Sequence, residues 1–358
     1  EDFFDNKIYC LLSVLLLEGI YFYNFTTPEF NVNVCLIPFW SLSVFYLWRG
    51  IKNNKILDWL LLGLFAGFGF LSKYLFVYLG LAIDVLLIYM IYTKRLNLKC
   101  LVSFVPFIII LLPHIIWLTE NDYVTITYGL LRTGSEEASI LNHIKHPMIF
   151  LGKQIGILLP FLLMIFVLVK KFKININLND EKLLFLLSIN LIPIFFIFLT
   201  SFTMGVKIRT MWMTPFYLFF GTLVIYILKD CLNILKIKNF LYGFLIIFLL
   251  SPITYAAVSL VKDDKRTDFP GKKIAKKIQL SWNEEFSDPI NIVLGDEWHA
   301  GNLSYHLKSR PIWGGSVDQK KLDSYSKYVC IDNICCLLYT SDAADEGLGV
   351  DLGGRRII

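Results

Sequence analysis

Charged residues are scarce in this chain. Asp, Glu, Lys and Arg make up 18% of its 358 residues, against about 25% in an ordinary soluble domain. That shortage excludes a fully solvated surface, and the 56% hydrophobic and 16% aromatic content points to lipid as the main solvent. The mean hydropathy of +0.60 agrees. Histidine is also sparse, at five residues, and no His, Cys or Asp spacing has the pattern of a tetrahedral metal site. No cofactor is expected. No internal repeat is visible, which counts against the duplicated halves common in secondary transporters. Of the seven cysteines, Cys10, Cys35, Cys100 and Cys231 lie in or beside apolar runs, where a thiol is a small hydrophobe. Cys330 and Cys335 flank "IDNI", which has two readings, a hairpin closed by a disulfide in an oxidising compartment or two free thiols, and the second is preferred.

What is present is a series of long apolar runs. A helix needs about 20 mainly apolar residues to cross a bilayer. Nine runs qualify, near 8–24, 29–48, 56–72, 74–93, 100–117, 149–170, 183–201, 213–228 and 239–260. Many are rich in β-branched residues and phenylalanine, yet isolated strands would leave backbone groups unsatisfied in lipid, so helices are predicted. The net charge of +5 resides mostly in short loops and is no sign of nucleic acid. Arg49, Lys52 and Lys55 share one loop; Lys94, Arg95 and Lys99 a second; Lys170, Lys171 and Lys173 a third; Lys229, Lys236 and Lys238 a fourth. Alternating spans put all four on one side, which the positive-inside rule makes cytoplasmic.

The opposite side receives "NFTTPEF", the Lys73 turn, a loop over 118–148 and "FTMGVKIRTMWM". It also receives a water-soluble α/β domain over 262–335. There "GKKIAKKIQLSW" puts Ile274, Ile278 and Trp282 on one helical face with lysines opposite. That lysine face has two readings, contact with anionic headgroups or an ordinary solvated face. "INIVLGD" reads as a buried strand and "HAGNLSYHL" as a second short helix. The domain plan is therefore a membrane domain over 1–261, the outer domain over 262–335, and a tail over 336–358. The tail, "CLLYTSDAADEGLGVDLGGRRII", resembles a translated sequencing-library adapter and is expected to be non-native. The first residue is Glu1 rather than Met, which predicts a natural start upstream.

The ionisable residues on the outer side are the candidate site. Lys73 falls in the turn between two spans, where its stem can reach the headgroups, so most of its insertion cost disappears. It reads either as an interfacial anchor alongside Tyr74 or as a phosphate contact. Lys207 and Arg209 sit outside on the side that loop charges normally avoid. A guanidinium fork and an ammonium point charge both suit phosphate oxygens. Arg132, Lys153 and Gln154 are further members of this outer set. Trp117 and Trp212 read as an aromatic belt before a sugar platform. Glu29 lies at an outer helix start, where the helix dipole stabilises a carboxylate. Glu18 and Asp84 lie deep within spans, and His114 reads as a satisfied core histidine.

Seven segments occur in an order that resembles one family. They are "TPEFNVNVCLIPFW", "GLFAGFGFLSKYLFVYLG", "PHIIWLTENDYVTITYGLLR", "GKQIGILLP", "GVKIRTMWMTPFYL", "FPGKKIAKKIQLSW" and "GDEWHAGNLSYHLKSRPIW". Together they resemble bacterial GT-C membrane glycosyltransferases related to protein O-mannosyltransferases and lipid A aminoarabinose transferase. The resemblance implies a multi-pass protein of the bacterial inner membrane. It implies transfer of a sugar from a polyprenyl-phosphate donor to a lipid, glycan or protein acceptor on the periplasmic face. It matches Glu29 to the family's second outer acidic residue, which is commonly Asp. The family's first-loop Asp-Glu pair would lie upstream of residue 1, so residues 1–335 alone are expected to be inactive. The alternatives are a secondary transporter using Glu18, Asp84 and His114, and a non-catalytic membrane scaffold.

Overall fold

The computed structural model describes residues 2–26, 30–131, 133, 139–170, 176–261, 269–315, 328–331 and 334–337. Two units divide the chain, Glu1–Val258 and Ser259–Ile358. The first holds α1 (Lys7–Leu15), α2 (Val32–Asn53), α3 (Ile56–Ser72), α4 (Val77–Tyr92), α5 (Phe104–Glu120), α6 (Val124–Leu131), α7 (Asn142–Leu168), α8 (Glu181–Met204) and α9 (Phe220–Leu228). α10 (Ile237–Val261) follows and runs into the second unit. Local chemistry sets the ends. The Asn31 side chain accepts the Asn33 amide at the start of α2, and Asp180 accepts the Lys182 and Leu183 amides at the start of α8. Gly205, at φ 63°, closes α8 in the left-handed conformation and turns the chain toward Lys207.

The protein is an α-helical multi-pass membrane protein. Among the described residues, six helices are long and apolar enough to cross a bilayer, or seven with one bent pair, where the sequence shows nine apolar runs. The run at 213–228 is that pair: a 3-10 helix, Thr210–Tyr217, meets the next helix at 55°. The run at 56–72 is α3, a shorter apolar helix. The run at 8–24 breaks after Leu15 into short 3-10 turns, with Ile20 extended. Leu12, Leu16 and Ile20 are buried against other helices. Their apolarity serves a protein interior, which composition alone does not distinguish from lipid.

Small residues let the helices approach. A Cβ on Gly63 of α3 would stand 1.8 Å from the Ser103 carbonyl oxygen, just before α5. Close backbone contact of this kind drives packing where lipid supplies no hydrophobic force.

Polar contacts gather the cationic loops at one end of the bundle. Lys52 Nζ donates to Asp2 at 2.9 Å, and Arg49 pairs with buried Asp58 at 3.1 Å. Arg95 donates to Asn179 at 3.4 Å, and Tyr226 to Asp180 at 2.7 Å. Backbone bonds join Lys170 to Cys231 and Asn233 to Leu168.

In the second unit, α11 (Gly271–Glu285) and α12 (Glu297–His306) accompany a four-stranded sheet. Its strands are β1 (Ile292–Leu294), β2 (Ile312–Trp313), β3 (Tyr328–Ile331) and β4 (Ile334–Leu337), in the order β2-β1-β4-β3. β1 runs parallel to β2 and antiparallel to β4. Ile278, Trp282, Val293, Leu303 and Cys336 form its core. Cys336 and Leu337, within the stretch read as adapter, complete β4, and the rest of that tail lies outside the described residues. Cys330 and Cys335, expected as unpaired thiols, form a disulfide across the β3–β4 hairpin. Antiparallel pairing sets the two residues directly opposite one another.

Candidate functional site

The site is built at the end of the bundle opposite the cationic loops. Lys73 caps α3 in an extended conformation and hands the chain to the 3-10 turn Tyr74–Phe76. Its ammonium donates to Asn33 Oδ1 in the first turn of α2 and lies 5.4 Å from the centre of the Trp212 ring. That distance is within cation–π range. Asn33 is 2% exposed, so its position is fixed by packing. No carboxylate pairs with Lys73 among the described residues. Burial pushes its ammonium from the ordinary lysine value down to about 8.

Beside it, the Tyr74 hydroxyl is 2.7 Å from His114 Nε2 and 2.6 Å from Thr125 Oγ1. His114 in turn stacks on Trp117. The turn after α3, the end of α5 and the start of α6 are thereby joined through one hydroxyl.

Lys207 and Arg209 arrive by alternation. Val206 and Ile208 are buried, whereas Lys207 and Arg209 are exposed, so one extended segment presents both cations on the same side. The Lys207 amide is pinned to the Thr133 carbonyl, and the Trp212 amide to the Arg209 carbonyl. Arg209 is thus one turn from the ring that covers Lys73. Tyr23 donates to the Thr214 carbonyl and ties the early chain to the same segment.

The remaining outer candidates are dispersed. Lys153 is exposed on α7. Gln154 is buried and accepts from the Tyr217 hydroxyl at 2.8 Å, a bond between helices rather than a surface contact. Glu29 and Arg132 lie outside the described residues. Asp84 lines a mainly apolar groove of about 640 Å³ between α3, α4 and α5, with Phe70, Leu81 and Phe107 among its walls. Glu18 sits in the 3-10 turn Leu16–Gly19. Among the described residues no hydrogen bond or ion pair joins Glu18, Asp84 and His114 to one another. Among the described residues no three His, Cys, Asp or Glu are placed to hold a metal ion.

Sequence reasoning missed Asn33 and Thr125. A polar side chain in the first turn of an otherwise apolar span was the available signal for Asn33; for Thr125 there was none.

Residues 3–117 match the model of the dolichyl-phosphate-mannose-protein mannosyltransferase family. The match runs from the N-terminal segment through α5, so it takes in Asn33, Lys73, Tyr74 and His114. It bears out the resemblance read from the sequence and supports a mannosyltransferase-like membrane glycosyltransferase. No curated protein and no solved structure matches the chain.

Proposed function

We infer that this protein transfers a sugar from a polyprenyl-phosphate carrier to a lipid, glycan or protein acceptor at the outer face of a bacterial inner membrane. One observation carries the reading: a half-buried ammonium, Lys73, held by Asn33 and Trp212 with no carboxylate partner among the described residues. A cation kept at the membrane boundary without a counter-charge suits an anion that arrives with the lipid. Glycosyl transfer needs positive charge where the departing phosphate develops its own, and a base near the incoming hydroxyl. Lys73 serves the phosphate first, with Arg209 and then Lys207 completing its charge. Trp212 orients Lys73 and offers a face to the sugar. Tyr74 holds the turn through His114 and Thr125. Glu29 is the proposed base.

Membrane vesicles containing the protein, supplied with defined polyprenyl-phosphate sugars, test the activity directly. Label moving to an acceptor from a lipid-linked sugar, and not from a nucleotide sugar, is the expected result. Absence of transfer from every lipid-linked donor overturns it.

The sidedness is separately testable. Cysteines placed at Asn53 and Asn97 resist a membrane-impermeant thiol reagent in intact cells, and one at Ser135 reacts. Reversed labelling would place the site in the cytoplasm.

The Lys73 value of about 8 gives a pH dependence. The phosphate binds the protonated lysine, so donor affinity is full below pH 8 and falls as pH rises through it. Measured KM for the donor rises between pH 7 and 9.5. Lys73→Arg, which stays protonated, flattens that profile; an unchanged rise in this variant assigns the titration to another group.

A further inference from the structure

The charges of α11 are arranged against its own dipole. Lys272, Lys273, Lys276 and Lys277 occupy its first two turns, all exposed, and Glu284 and Glu285 occupy its last. A helix N-terminus is already partly positive and its C-terminus partly negative, so both groups destabilise the helix they belong to. No side chain caps the N-terminus to offset this. The opposite face, Ala275, Ile278 and Trp282, is fully used in the core of the second unit. Among the described residues none of the four lysines is ion-paired. Three of them line an open groove of about 800 Å³ with Phe269, Pro270, Gly271 and His306. A local rule broken this consistently calls for a gain elsewhere.

We propose that the lysine end of α11 is a docking surface for anionic phospholipid headgroups. Charge complementarity selects the class of partner, since each lysine near an anionic surface contributes to attachment. The choice of a bilayer over a soluble anion follows from the chain itself. α10 is long and apolar enough to cross the membrane, and seven residues separate its last residue, Val261, from Phe269. Headgroups are therefore present at high effective concentration, and weak attraction suffices. The groove gives a headgroup phosphate a place among Lys272, Lys273 and Lys276. This proposal needs α10 to be membrane-inserted and is independent of the glycosyl-transfer reading.

Hydrogen exchange of residues 271–280 tests it in the whole protein. The chain is placed in nanodiscs of phosphatidylcholine alone, or with about one third phosphatidylglycerol. Exchange is expected to slow in the anionic discs, with docking weakening about fivefold for each Lys→Gln and lost in high salt. A Lys→Arg variant at all four positions retains it. Exchange of residues 292–294 reports whether the unit stays folded. Should the four-Gln variant unfold, the comparison of lipids with the unaltered chain decides alone. Equal exchange in both lipids overturns the proposal, as does slowing that survives the four Gln substitutions. Slowing caused by an added soluble acidic peptide but not by anionic lipid also overturns it, and assigns the surface to a soluble partner.

Discussion

Lys73→Gln lowers kcat/KM for a polyprenyl-phosphate sugar donor about 10- to 100-fold, with no change in the amount of inserted protein. The magnitude is that of one hydrogen bond to a charged group, about 1.5–3 kcal/mol. Glutamine keeps a donor of similar reach but no charge, so the loss isolates the charge-assisted part of the contact. Fold is not at stake, because Lys73 sits in a turn and its recorded partners, Asn33 and Trp212, are held by their own elements. The effect belongs in donor KM and kcat/KM, and acceptor KM stays constant. Arg209→Gln lowers the same parameter. The double variant loses less than the product of the two if both cations meet one phosphate. Normal donor kinetics in Lys73→Gln would reduce the residue to an interfacial anchor.

Gly63→Val costs the membrane domain about 3 kcal/mol or more, at or beyond the upper end of ordinary overpacking penalties. The first added carbon would already stand 1.8 Å from a backbone oxygen, Ser103 O. No rotamer relieves a clash made by Cβ, so the chain segments holding α3 and α5 must move apart. The shift reaches Lys73 at the far end of α3 and His114 in α5. Thermal unfolding in detergent and the yield of folded protein both fall. Gly80→Val is the control: a Cβ there meets nothing within 4 Å, and valine on that helix is tolerated within about 0.5 kcal/mol. Equal stability of the two variants would mean that α3 and α5 are not packed as described.

Much of this architecture was legible beforehand, and the reasons are specific. Apolar runs of bilayer length read directly as helices because lipid leaves the backbone no other way to satisfy itself. The turn at Lys73 was visible because one cation interrupts two such runs. Where runs broke, the sequence was silent. Leu12, Leu16 and Ile20 look the same to a hydropathy count whether they face lipid or Phe161 and Met164, as part of one core. The site was half legible. Lys73 announces itself as a charge between two apolar runs and Arg209 as a charge on the side that loop charges avoid, whereas Trp212 reads only as a belt aromatic. Asn33 and Thr125 acquire meaning from partners forty and fifty-one residues away. Gln154 looked like an outer-site contact and is spoken for by Tyr217. The disulfide, too, needed the register of a hairpin that spacing alone does not fix.

The two ends of the bundle are fastened differently, and this bears on how it breathes. At the cationic end, main-chain bonds lace the end of α7 to the segment after α9, and Asp180 closes onto Tyr226. At the other end the fastenings are largely single side-chain bonds: Lys73 to Asn33, Tyr74 to His114 and Thr125, His143 to the Phe202 carbonyl, His146 to that of Gly205. A rotamer change undoes a side-chain bond within nanoseconds, whereas freeing a main-chain pair requires local unfolding. Spontaneous opening is therefore expected first at the end held mainly by side chains. On the proposed reading, that more loosely fastened end, beside Lys73, is where a lipid-linked donor would enter and its phosphate would leave.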